Sequence, residues 1–222
     1  MRTFLRNNGL TLVLGLLFLV SLIGQAATGL SSENAERLQH GQTATTLISY
    51  LTSGAFLSSL FENWESEFLQ MSAYVVLTAY LMQRGSPESK DLDQVSPQDR
   101  DPALDARRKD APGAVRHGGL IRILYSHSLG FTLLALFIAS FALHFVNSAR
   151  HAAEQAAAHG EAVSGELLSH LGEAEFWFES FQNWQSEFLS TAVLVLLGVV
   201  LRERGSPESK PVGAPHSQTG SD

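Results

Sequence analysis

The chain has no cysteine among its 222 residues. That excludes disulfides, thiolate metal sites and thiol nucleophiles, and it leaves the redox compartment open. Charge is missing from Gly9 to Ala27, about 19 residues of GLTLVLGLLFLVSLIGQAA. At ~1.5 Å per helical residue that run is close to the ~30 Å needed to cross hydrocarbon. Proline is missing from Ser53 to Gln83, where Gly54 sits only at the start. The chain also lacks a phosphate-cradling glycine loop, a GxSxG elbow and an HExxH pair, so no catalytic motif stands out. No basic stripe accompanies a nucleic-acid recognition motif. The expectation is therefore a non-enzymatic protein with no nucleic-acid partner, no cofactor, no bound metal and no recognisable small-molecule ligand.

What is present is a repeat. Asn63-Trp64-Glu65-Ser66-Glu67-Phe68-Leu69 returns as Asn183-Trp184-Gln185-Ser186-Glu187-Phe188-Leu189, and Arg84-Gly85-Ser86-Pro87-Glu88-Ser89-Lys90 returns unchanged as residues 204–210, both displaced by 120 positions. Upstream, Leu10 aligns with Leu129, Gln25 with His144 and His40 with His159, displaced by 119. A repeat of this length sets the architecture before any local reading. Taken alone, Arg2, Arg6 and the apolar run after them also fit a signal peptide ending near Ala26. The partner segment Leu120 to Val146 lies mid-chain, where no signal peptide can be, so the first helix is expected to be retained and to span.

The fold class that follows is an all-α integral membrane protein. Four transmembrane helices form two tandem, parallel-oriented hairpins, with short outer interfacial helices. The first hairpin repeat covers 1–90 and the second 120–210. A linker at 91–119 is rich in Asp, Arg, Pro and Gln, and both it and a tail at 211–222 are poor in large apolar side chains, so both are expected to be disordered. Short helices are expected at Ser31 to Gln39, Thr45 to Leu51, Asn147 to His159 and Glu166 to Leu171. The helix from Ser53 would be ~45 Å long and project beyond the lipid. Arg84-Gly85-Ser86-Pro87-Glu88 reads as a helix stop followed by a new start, with Gly85 left-handed and Ser86 as a cap.

Basic residues set the orientation. Thirteen Lys and Arg lie at the termini and between the second and third helices, and only Arg37 and Arg150 lie in the hairpin connections. The positive-inside rule then puts both termini and the linker in the cytoplasm, with the two hairpins running the same way.

Asn63 and Glu67 share a helix face, and Asn183 and Glu187 repeat the pair. Gln25 and His144 come at matching depth, which places Gln25 near Glu67 and His144 near Glu187. These six residues are the polar or ligand candidates. One reading makes them hydrogen-bonding groups that hold the helices together. The other makes them paired cation or proton sites at the outer mouth of a small channel or transporter, with His144 titrating and homo-oligomerisation completing the pore. Trp64 and Trp184 are expected to anchor the outer interface. His144, His151, His159 and His170, near Glu154 and Glu161, match no tight metal spacing. Ser86 and Ser206 could accept phosphate or a partner, but a cap is the simpler role. Ala135 and Ala139 make a small-xxx-small pair.

The start RNNGLTLVLGLLFLVSLIGQ, the NWxSEFL block and the RGSPESK end together resemble an uncharacterised group of small bacterial multi-pass membrane proteins, classed as a domain of unknown function. The resemblance spans all but the linker and tail. It implies a bacterial cytoplasmic membrane, with lipid as the surrounding partner, and brings no activity. The second copy departs from the start, with Ser126-His127-Ser128 where the first has Arg6-Asn7-Asn8.

Overall fold

The structure is a computed structural model describing residues 2–158 and 167–220. Its long elements are all α-helical, and no strand occurs among the described residues. The first helix, α1 (Arg2–Gln39), is continuous for 38 residues, or ~57 Å. The separate helix expected from Ser31 is thus the end of α1. The Ser31 hydroxyl that looked like a new start bonds backward instead, to the Ala27 carbonyl (3.0 Å), as Thr28 Oγ1 does to that of Gly24 (2.8 Å). The stop does fall at Gly41, which is left-handed at φ 71°.

Thr46 caps α2 (Leu47–Leu51) by accepting from the Ser49 amide. Tyr50 of α2 turns inward onto α1, where a Cβ on Gly29 would stand 2.1 Å from its hydroxyl oxygen. Ser53 opens α3 (Gly54–Tyr80) as expected: its hydroxyl accepts from the Phe56 amide (3.2 Å). The helix stops three residues short of Gln83. The Gln83 amide is taken by Ser89 Oγ (2.9 Å), so the RGSPESK segment folds back on the helix end rather than starting a new helix.

The 91–118 stretch holds two single-turn 3₁₀ pieces, Pro97–Asp99 and Pro102–Asp105, and a short helix, α4 (Gly113–His117). The apolar run Leu120 to Val146 is interrupted. It is divided at His127 between α5 (Gly119–Ser126) and α6 (Ser128–Ala158). Ser126 and Ser128 bond the carbonyls of Arg122 and Tyr125, competing with the backbone where the second copy departs from the first. The residues expected as a helix from Asn147 belong to α6. A 3₁₀ segment, Leu167–Gly172, precedes α7 (Ala174–Val200). His159, Glu161 and Glu166 lie outside the described residues.

Three helical stretches, Thr3–Gln39, Ser128–Ala157 and Ala174–Val200, are long and apolar enough to cross a membrane. The α3 helix is long enough, but Glu62, Asn63, Glu65, Glu67 and Gln70 make its first half polar. On α1, the large side chains from Leu10 to Val20 are exposed, as a lipid-facing surface requires.

The chain divides into two compact units, Met1–Leu60 with Leu143–His170, and Phe61–Ala142 with Leu171–Asp222. In the first, Tyr50 and Phe56 stack with ring centres 5.3 Å apart, and the start of α3 lies against α6. In the second, Phe176 is fully buried among Phe141 and Trp177.

Gly54 marks the contact of α3 with α6. A Cβ there would meet the His151 backbone nitrogen at 2.6 Å and the Asn147 carbonyl oxygen at 3.0 Å. Backbone cannot give way as a side chain can. Gly54→Ala should therefore lower stability by about 1–3 kcal/mol despite alanine's better helix propensity. Gly15→Ala, with nothing within 4 Å, should be neutral or slightly stabilising. Thermal unfolding in detergent compares them.

Candidate functional site

Polar side chains of the two repeated helices meet each other, and of the candidates Glu67 and Glu187 do so directly. Asn183 Nδ2 donates to Glu62 Oε1. Trp184 Nε1 donates to Glu65 Oε1 at 3.1 Å. Glu67 and Glu187 lie close enough to interact electrostatically. Gln70 Nε2 donates to Thr191 Oγ1. Each step up α3 is matched by the same step up α7, so from Phe61 onward the helices run parallel. The partner of each residue is its own duplicate or an immediate neighbour of it. The Glu62 and Glu179 carboxylates also approach within 4.8 Å.

A ladder of this kind follows from the sequence block itself. Glu62, Glu65 and Gln70 on α3 and Asn183, Glu187 and Thr191 on α7 recur at three-to-five-residue spacing, so each helix carries polar groups on the side that meets the other. Each copy thereby offers the other donors and acceptors. Apolar rings flank it. Trp184 packs against Phe137 (6.2 Å) and Phe181 (5.3 Å), and Phe141 touches Phe176, Trp177 and Trp184. This low-polarity wall strengthens the bonds inside it and raises the cost of losing one.

The named candidates take unequal places. Asn183 and Glu187 are half-buried on α7, while Asn63 and Glu67 are exposed on α3. Gln25 donates to Ser59 Oγ (3.4 Å). His144 is fully buried. Trp184 has its indole N–H directed to Glu65, so it serves the helix pair as well as any interface. Trp64 meets Phe61 edge-on at 5.5 Å. Two other histidines have local partners: His170 contacts Ser148 Oγ (3.0 Å) and His151 contacts Gln155 (3.0 Å).

Three acids in the site escaped the sequence reading: Glu62, Glu65 and Glu179. Glu65 is fully buried. The signal was available in the alignment of the copies, because Glu65 faces Gln185 at the one variable position of NWxSEFL.

The RGSPESK segments take one shape twice. Gly85 and Gly205 are left-handed at φ 84° and 89°. Ser86 and Ser206 hydroxyls accept from the Glu88 and Glu208 amides, each at 3.2 Å. Ser89 and Ser209 accept from the Gln83 and Glu203 amides, each at 2.9 Å. Their surroundings differ. The first loop is covered by the chain's own tail: Gly85 N–H donates to Thr219 Oγ1 (2.9 Å) and Gly220 N–H to the Ser86 carbonyl (3.0 Å). Lys210 is buried, and its ammonium donates to the carbonyls of Gly85, His216 and Gln218. Ser86 is fully buried, which closes it to modification in this state, while Ser206 is half-exposed.

The Trp184–Glu65 bond can be isolated by a double-mutant cycle. Trp184→Phe should cost about 1–3 kcal/mol with Glu65 present, because a buried acceptor loses its donor. It should cost distinctly less in a Glu65→Ala background. Chemical unfolding of the four proteins in detergent measures the difference.

No curated protein and no solved structure matches the chain. The family model described as Domain of unknown function (DUF6766) matches residues 1–221, and the chain belongs to that family.

Proposed function

We propose that the chain is a multi-pass membrane protein whose role is structural or interaction-based, without catalytic activity. The observation that carries this reading is the α3–α7 ladder, whose polar groups are directed at one another. Groups that bond across helices hold a bundle together in lipid. The same ladder supports α3 as a fourth span. It runs parallel and in register with α7, which is apolar enough to cross, and side-chain partners on α7 take up Glu62, Glu65 and Gln70. Two tandem hairpins running the same way then fit the parallel course of the repeated helices. The charge distribution supports a cytoplasmic placement of both termini and of the 91–119 linker. The setting proposed is a bacterial cytoplasmic membrane.

Reporters fused at either terminus and within 91–119 should all register as cytoplasmic. A periplasmic signal from any of them refutes the orientation. Replacing Glu67 and Glu187 together with Gln should change the unfolding temperature of the purified protein and produce no change in ion flux into proteoliposomes. Flux that is present in the wild type and lost in a folded double variant would instead support a channel or transporter.

A further inference from the structure

The two RGSPESK loops bring their glutamates into contact. Tyr74, in the last two turns of α3, donates its hydroxyl to Glu88 Oε2 at 3.0 Å. The other oxygen, Oε1, is shut off from solvent and has no hydrogen-bond partner among the described residues. The carboxyl of Glu208, the same position in the second loop, lies within hydrogen-bonding reach of Glu88. Two carboxylates have no donor to offer each other, and an orphaned anionic oxygen beside a second anion is doubly unfavourable. One proton on either group turns the clash into a carboxyl–carboxylate hydrogen bond.

Neighbouring cations do not relieve the pair: four have other partners, and the fifth is exposed to solvent. Lys210 is held by three carbonyls. Lys90 donates to the Ala79 carbonyl (2.8 Å) and to Asp99 (2.7 Å). Arg84 pairs with Asp93. Arg202 donates to the carbonyls of Gly198, Val199, Leu201 and Ala214, and Arg204 is exposed. The groups that bear on Glu88 are Tyr74 from α3 and Glu208 from the second loop.

We propose that Glu88 and Glu208 bind one shared proton, and that this proton closes the junction between the two repeat loops beyond the ends of α3 and α7. With the proton bound the pair carries a single negative charge. Release to bulk water leaves two, and the loops separate. Burial first, and Glu208 second, hold the Glu88 carboxyl above its ordinary range, with the Tyr74 hydroxyl pulling the other way. For an acid whose folded-state affinity for protons is raised, the stabilisation is complete below the ordinary carboxyl range. It is lost as pH rises through the raised folded value. Macroscopically the titration belongs to the pair and to neither residue alone. The device thus reads rising pH near these loops and converts it into looser coupling of the two repeats.

The absence of cysteine makes the test direct. Spin labels on cysteines introduced at Arg84 and Arg204 of the full chain in lipid nanodiscs report the separation of the loops. The label distance should be narrowly distributed in mildly acidic buffer, and should broaden and lengthen as the buffer is made mildly alkaline. Glu208→Gln supplies a permanent amide donor, so its distribution should stay narrow throughout. Tyr74→Phe removes the donor that favours the ionised form, so its midpoint should move to higher pH. A wild-type distance that ignores pH overturns the proposal. So does titration that persists unchanged in Glu208→Gln, or a Tyr74→Phe midpoint that stays in place or falls. If Glu208→Gln does not fold, the wild-type profile and the direction of the Tyr74→Phe shift decide the matter.

Discussion

The arrangement of the second unit depends on one constraint: polar side chains on a helix bordered by apolar surface must find partners on another helix. In α3 and α7 those partners are immediate neighbours of their own duplicates. Asn183 answers Glu62, Trp184 answers Glu65, and Gln70 answers Thr191. An apolar contact could slide along the helix axis at little cost. A ladder of donors and acceptors cannot, because a shift of one turn would leave several buried groups unpaired. The ladder therefore sets the parallel direction and the axial register, and both loops follow at equivalent heights.

A surface that meets its own copy is the geometry of a two-fold homodimer interface. Here the two copies are joined in one chain, so the stoichiometry is fixed and the halves can differ. They do differ. Glu65 is fully buried and accepts from Trp184, whereas its counterpart Gln185 is exposed. Lys90 closes the end of α3, whereas Lys210 reaches across to the opposite loop. Identical motifs have thus acquired unequal environments through what surrounds them.

Much of this was legible in the sequence. Spacing and composition gave the helices, the repeat gave the equivalence of α3 and α7, and Gly85 with Ser86 gave the loop geometry. The misses have specific causes. Ser31 resembles a cap residue, but a hydroxyl can bond backward within a continuing helix, and only the three-dimensional course tells which. The break at His127 sits in an apolar run with no Pro, where hydropathy gives no warning. The pairing of Glu67 with Glu187 and the role of Glu65 depend on which faces of two distant helices meet, and one sequence without homologues does not encode that openly.

The buried Lys210 ammonium makes the segment from Lys210 to Gly220 a structural part. Its carbonyl ligands come from Gly85, His216 and Gln218, and the adjoining Thr219 and Gly220 hold the first loop's backbone. Trimming the chain after Pro211 would strip two of the three ligands from a desolvated cation and uncover Ser86. A cut between residues 211 and 219 would thus be felt at the loop after α3, far away in the sequence.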